Sequence, residues 1–344
     1  MKLNLKLAGI LIALNGCSTT KNINKIQMTN ANHFNPKNME SRIIIGAISG
    51  KTIHLPEVNS TSVSSIDPNR FVKNGMPVPE FKLNNSKGFA DGLSFNRKFG
   101  LLIPATNTTM EQELWSIIFN NQGAGSLEGV GIHTTNIQLP KINIQTDSDL
   151  NNFKDAFVAG LDKAVDQALL SRPEYLIMGM SLEHILYGLD EIKGLMNNIK
   201  SDLSWATWHD ASDAALKKYK AKRIGIISPF SKKGNESAKK MFEDMGYEVV
   251  VSFGFACPNL VDIGHIPDSA KEDVIINYLA TPENRLDAIV QLGTNMGMIN
   301  MTEKLEKKIG IPILGINAVT FWYALRENGF DKPLIKSGRL LREF

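Results

Sequence analysis

Gly100-Leu101-Leu102-Ile103-Pro104-Ala105-Thr106-Asn107 is an apolar run that stops at a proline and opens into a polar loop, and the pattern returns as Ile224-Gly225-Ile226-Ile227-Ser228-Pro229-Phe230-Ser231. Consecutive apolar residues, without alternation, read as a strand buried on both faces, which is the mark of a parallel sheet. A second pair repeats in the same order. Tyr175-Leu176-Ile177-Met178-Gly179-Met180-Ser181 matches Ala288-Ile289-Val290-Gln291-Leu292-Gly293-Thr294-Asn295, each ending in glycine and a hydroxyl residue within two positions. A looser third pair sets residues 203–216 beside residues 312–325. Further apolar runs stand at 129–135 and 247–253, and amphipathic stretches separate most of them. The predicted fold class is therefore α/β: two similar Rossmann-like lobes, each a parallel sheet covered by helices, with a ligand cleft between them.

Working outward, lobe 1 is predicted over 98–220, lobe 2 over 221–316, and segment 317–344 is expected to pack back on lobe 1. Residues 18–97 are rich in Asn, Ser, Thr and Lys and sustain no period apart from a β-like run at Arg42-Ile43-Ile44-Ile45, so they read as an extension or linker. Residues 1–17 read as a signal peptide. Lys2 and Lys6 precede an apolar stretch, Leu7–Gly16, too short to span a bilayer, and it ends in a lipobox-like Leu14-Asn15-Gly16-Cys17. That reading lipidates Cys17 and places the protein at the bacterial cell envelope, on the periplasmic side; the alternative is a cytoplasmic protein with an apolar terminus.

The composition excludes several classes of function. Lys and Arg total 38 against 35 Asp and Glu in 344 residues, so no charge excess draws the chain to nucleic acid. The basic run Lys217, Lys218, Lys220, Lys222 and Arg223 suits the solvated end of a helix. Two cysteines, Cys17 and Cys257, make no disulfide framework, and the histidines have no metal-ligand spacing, so neither a metal nor a cofactor is expected. Gly123-Ala124-Gly125-Ser126-Leu127-Glu128 falls short of the dinucleotide fingerprint and precedes a strand where that fingerprint must follow one. The membrane enters only through the lipid anchor. Self-association into a homo-oligomer stays open.

In open parallel sheets, ligands bind beyond the carboxyl ends of the strands, and the polar loops all stand there. Gly179-Met180-Ser181 and Gly293-Thr294-Asn295 are predicted to face each other, each offering backbone N–H groups and a helix-capping hydroxyl to a small carboxylate.

These segments carry a resemblance. Residues 100–114 look like the opening strand and loop of maleate isomerases, and Leu176–Ser181 resembles the middle loop of arylmalonate decarboxylases. Residues 227–236, 256–266 and 312–329 are similar to later segments of the same families, all within the aspartate/glutamate racemase superfamily, over about 91–344. The resemblance implies a cleft that isomerises, racemises or decarboxylates a small mono- or dicarboxylate. It implies substrate contacts at Pro104, Asn107, Met180, Ser181, Phe230, Asn259, Thr294 and Asn295. It also implies cysteines in the two facing loops, and here those positions read Gly179 and Gly293. A glycine at 179 suits the decarboxylases, a glycine at 293 suits neither kind, and Phe230 stands where a tyrosine is usual. A glycine cannot move a proton or attack a double bond. The catalytic group is thus unassigned, with Cys257 and His184 as substitutes; the alternative function is a carboxylate-binding or sensing lipoprotein without catalysis.

Overall fold

The computed structural model describes residues 45–48, 51–54 and 91–344, the last span excepting 124–125, 140–146, 182–187 and 200. The lipobox with Cys17, and His184, lie outside the described residues. The chain divides between Glu80 and Phe81. In the first unit, β1 (Ile45–Ile48) and β2 (Lys51–His54) form an antiparallel hairpin.

In the second unit, β3 (Arg97–Pro104), β4 (Val130–Ile137), β5 (Tyr175–Met178) and β6 (Trp205–Ala206) form one parallel sheet in the order β4-β3-β5-β6. A second parallel sheet contains β7 (Arg223–Ser228), β8 (Glu248–Gly254), β9 (Ala288–Gln291) and β10 (Ile313–Gly315) in the order β8-β7-β9-β10. The two orders are identical once β3 is set on β7. The repeat read from the sequence is therefore a repeat of topology: the first pair is β3 and β7, the second β5 and β9, the third β6 and β10.

Burial explains why the strands read as unbroken apolar runs. Phe99, Leu101, Leu102 and Ile103 of β3 are buried, as are Tyr175–Met178 of β5 and Ala288–Gln291 of β9. Side chains of successive residues point to opposite faces, so burial of all of them requires helices on both. Those helices are α1 (Met110–Asn120), α2 (Asp147–Leu170), α3 (Leu189–Asn198) and α4 (Trp208–Lys218) in lobe 1. Lobe 2 has α5 (Lys232–Asp244), α6 (Asp268–Val274) and α7 (Ile299–Ile309), followed by α8 (Ile316–Glu327) and α9 (Arg339–Glu343).

Local signals set several helix ends. Thr207 accepts from the Asp210 N–H at 3.3 Å to cap α4, and Ser231 accepts from the Gly234 N–H at 3.4 Å to cap α5. Gly310, at φ +75°, closes α7 in the left-handed conformation that glycine adopts without a Cβ penalty. Lys217 and Lys218 occupy the last turn of α4, where cations suit the exposed carbonyls.

The C-terminal segment lies on lobe 1. α8 packs on α4 and α1, the Phe321 ring meets Phe99 edge-on at 5.9 Å, and Asn121 exchanges hydrogen bonds with the Ile335 backbone. Lobe 1 also reaches back before residue 97. Asp91 pairs with Lys98 at 3.1 Å, while Ser94 and Phe95 cover Gly131 and Gly129, where a Cβ would collide with them. The body of lobe 1 thus takes in residues that the sequence pattern assigned to the extension.

Candidate functional site

With the order second-first-third-fourth in each sheet, the crevice opens where the first and third strands diverge, at their carboxyl ends. In lobe 1 these ends carry Pro104–Thr109 and Gly179–Ser181. In lobe 2 they carry Pro229–Phe230 and Leu292–Met298. The four loops meet in one pocket, lined by Pro104, Thr106, Asn107, Met180, Ser181, Phe230, Gly293, Thr294 and Asn295, with Leu260 and Ile263 closing an apolar end. Its free volume is about 30 Å³. That is room for a water or two.

Seven of the eight substrate-contact positions expected from the sequence line this pocket, and each has a definite local role. Asn107 accepts from the Thr109 and Met110 N–H groups at 2.9 and 3.0 Å, which caps the start of α1, and its amide donates across the cleft to Thr294 Oγ1 at 2.9 Å. Ser181 Oγ accepts from the Gly293 N–H at 3.2 Å. Asn295 Oδ1 accepts from the Thr108 N–H at 3.0 Å and the Thr109 hydroxyl at 2.9 Å, while its Nδ2 donates to the carbonyls of Thr106 and Leu260. The bonds from Asn107 to Thr294, from Gly293 to Ser181, and from Asn295 to Thr106, Thr108 and Thr109 join lobe 1 to lobe 2 around the pocket.

The eighth residue lies elsewhere. Asn259 is exposed and caps the short turn at Asp262–His265, accepting from the Val261 and Asp262 N–H groups. It does not line the pocket; Leu260 beside it does. Cys257 is half-buried, does not line the pocket, and has its thiol pushed up by burial and then by Asp262. Thr106, Leu260 and Ile263 were not singled out by the sequence reading. Thr106 stood within the quoted loop, and the other two in a segment marked only by resemblance.

The Thr294 hydroxyl does not cap a helix as expected, and the Ser181 hydroxyl is not the cap of α3. Thr294 stands five residues before α7, and the N-cap of α3 is Gly188, seven beyond Ser181. Instead each oxygen accepts a hydrogen bond from the opposite lobe, which leaves its O–H to donate. The backbone N–H groups of Met180, Ser181, Thr294 and Asn295 have no hydrogen-bond partner among the described residues. Backbone amides of this kind, left without a partner, are the groups from which anion-binding concavities are built.

The glycines behave differently from the thiol positions that the resemblance implies. A Cβ on Gly179 would lie 2.5 Å from Ile103 Cγ2 and 2.7 Å from the Leu102 carbonyl oxygen. Gly293 has φ +86°, and its Cβ would lie 2.4 Å from Pro229 Cγ. Both point into packed atoms. No Cys, His, Asp, Glu, Lys or Arg lines the pocket among the described residues.

A family model described as arylmalonate decarboxylase matches residues 174–341. The maleate isomerase of Nocardia farcinica is 20% identical over 255 residues, covering 72% of this chain and 96% of that protein. A serine-for-cysteine variant of the Nocardia farcinica maleate cis-trans isomerase, solved with a covalently bound succinylcysteine intermediate, superposes with a TM-score of 0.59 at 19% identity, over 72% of this chain and 99% of the other. Arylmalonate decarboxylase itself gives 0.55 at 14% identity over 72% and 100%. Fold and pocket define a two-lobed parallel α/β protein with its ligand crevice at paired strand ends. Together with these matches, they support the aspartate/glutamate racemase-like superfamily, to whose maleate isomerases and arylmalonate decarboxylases the chain is similar in fold.

Proposed function

We propose that this chain binds a small mono- or dicarboxylate in the interlobe pocket without the thiol chemistry of its relatives. The observation that carries this is the convergence of Met180-Ser181 and Thr294-Asn295, whose unpaired N–H groups and donor hydroxyls come from matched loops of the two lobes. A carboxylate offers four acceptor sites to such donors. Pro104, Met180, Phe230, Leu260 and Ile263 supply an apolar remainder for the carbon skeleton. Because the free volume is near that of water, a four-carbon acid enters only as the walls part.

Turnover is the second reading, supported by the family: isomerisation, racemisation or decarboxylation with an acid/base group other than the cysteines, for which His184 and Cys257 are the candidates. Proton NMR of the purified chain with maleate, aspartate and phenylmalonate separates the two. Line broadening without conversion is expected. Removing both hydroxyls, Ser181→Ala with Thr294→Ala, should weaken binding about 100-fold or more, each lost bond to a charged group being worth about 1.5–3 kcal/mol. Conversion of any of the three acids would replace this reading with the second, and absence of broadening with all three would remove both.

Lipidation of Cys17 would hold this pocket at the cell envelope, since a diacylated cysteine supplies the two chains that stable anchoring takes. Wild type is expected in the membrane fraction and Cys17→Ala in the soluble one. Recovery of both at full length from the cytoplasm would overturn the anchor.

A further inference from the structure

Glu113 is a carboxyl in the first turn of α1, 5% exposed, whose hydrogen bonds all run to lobe 2 or to α8. Oε1 accepts from the Met298 and Ile299 N–H groups at 2.6 and 2.8 Å. Oε2 accepts from Asn317 Nδ2 at 2.8 Å, and the same amide donates to the Thr294 carbonyl at 2.9 Å. Glu113 therefore caps α7, an 11-residue helix of the other lobe, in place of a residue from that helix's own loop. Burial pushes its carboxyl up, and the donors from Ile299, Asn317 and Met298 pull it back.

The consequence lies in what stands between these contacts. The loop from Gly293 to Met298 supplies Gly293, Thr294 and Asn295 to the lobe 2 wall of the pocket, and α1 with the residues that lead into it holds this loop at both ends. Asn107, which caps the start of α1, grips Thr294 Oγ1; Glu113, one turn on, grips the amides of Met298 and Ile299. Asn317 ties the two grips together through the Thr294 carbonyl. Its own Oδ1 is buried without a partner among the described residues. An acceptor left bare is costly, so the two acceptors that face Nδ2 dictate the orientation of this amide. The Lys271 ammonium holds the same loop from α6, donating to the Gly297 carbonyl and pairing with Asp268 at 2.7 Å.

We infer that Glu113 is a positioning residue for the carboxylate wall: from lobe 1 it sets where Thr294 and Asn295 stand relative to Asn107 and Ser181, without touching the ligand. This rests on the pocket being a carboxylate site. With Glu113→Gln, an N–H group would oppose the Asn317 amide. Asn317 would then turn its oxygen onto the Thr294 carbonyl, and the wall would shift.

Two readouts on the full chain test this. In Glu113→Gln, the ¹H–¹⁵N resonances of Thr294 and Asn295, which make no hydrogen bond to Glu113, should move. The Kd for whichever of maleate, aspartate and phenylmalonate the wild type binds should rise about 10-fold or more, the scale on which outer-shell partners act. Should that variant not fold, Asn317→Ala, which cuts the bridge but leaves the carboxylate on Met298 and Ile299, carries the same two expectations. A folded variant with unchanged Thr294 and Asn295 resonances and unchanged Kd would make Glu113 a structural cap only. If the wild type binds none of the three acids, the carboxylate reading fails by itself, and the resonances still decide whether Glu113 sets the wall.

Discussion

Asn295→Ala is expected to lower the melting temperature by about 10 °C and to widen the cleft, because this one amide fills three backbone and side-chain needs across the lobes and a fourth within lobe 2. Its removal strips the Thr108 N–H of its acceptor and the Thr106 and Leu260 carbonyls of a donor, in a site that is 6% exposed. Buried groups left unsatisfied cost about 1–3 kcal/mol each, and partial relaxation towards water brings the sum to about 3–5 kcal/mol. At about 2–4 °C per kcal/mol for a body of this size, the shift should be plain in calorimetry. Asn295→Asp separates polarity from size. It keeps the oxygen that faces Thr108 and Thr109 but turns a second oxygen towards two carbonyls, so it should be no more stable than the alanine variant. Wild-type melting of Asn295→Asp would mean that the lobes are not joined through this amide.

That interlobe joint marks the limit of what the sequence discloses. The fold was legible because its signal is local and repeated: uninterrupted apolar runs such as Phe99–Ile103 and Ala288–Val290 occur only where both sheet faces are covered, and the matched endings of β5 and β9 fix which loops correspond. Met180, Ser181, Thr294 and Asn295 were legible for the same reason, since strand ends in a parallel sheet are where ligands sit, whereas Pro104, Asn107 and Phe230 were marked by the resemblance alone. What was not legible is pairing across the cleft. Ser181 and Thr294 look like helix caps in a linear string, yet their oxygens accept from Gly293 and Asn107, residues 112 and 187 positions away. Glu113 looked like any acid on the first turns of a helix. Its partners at 298, 299 and 317 become visible only once the second lobe is docked. Asn259 misled in the opposite sense: an asparagine two and three residues before the N–H groups it caps is a local turn device, and that sufficed to hold it away from the pocket.

Cysteine at both facing glycines, Gly179→Cys with Gly293→Cys, is expected to destabilise strongly and to create no activity, although these are the positions that the resemblance assigns to thiols. At Gly293 the backbone sits at φ +86°, which costs a side-chain-bearing residue about 1–3 kcal/mol, and the Cβ would be driven to 2.4 Å from a proline ring that the chain holds in place. At Gly179 the conformation is ordinary and the obstacle is proximity. The Cβ would lie 2.7 Å from the Leu102 carbonyl oxygen, which already accepts from the Gly179 N–H at 2.7 Å, so moving away breaks a backbone bond between β3 and the end of β5. Each change should therefore cost about 2–4 kcal/mol, strain and overpacking acting together. The two sites belong to different strands of different sheets, and the losses should come close to adding, through Ser181 and the Gly293 N–H alone excepted. Melting temperatures of both single variants and the double variant give the stability side. Deuterium exchange at the α-carbon of aspartate gives the chemical side, with none expected, since a thiol carried on either Cβ starts towards packed atoms rather than the pocket. A double variant that melts with the wild type and exchanges the α-proton would show that both loops take another conformation around a ligand, with Gly179 and Gly293 turned to face it.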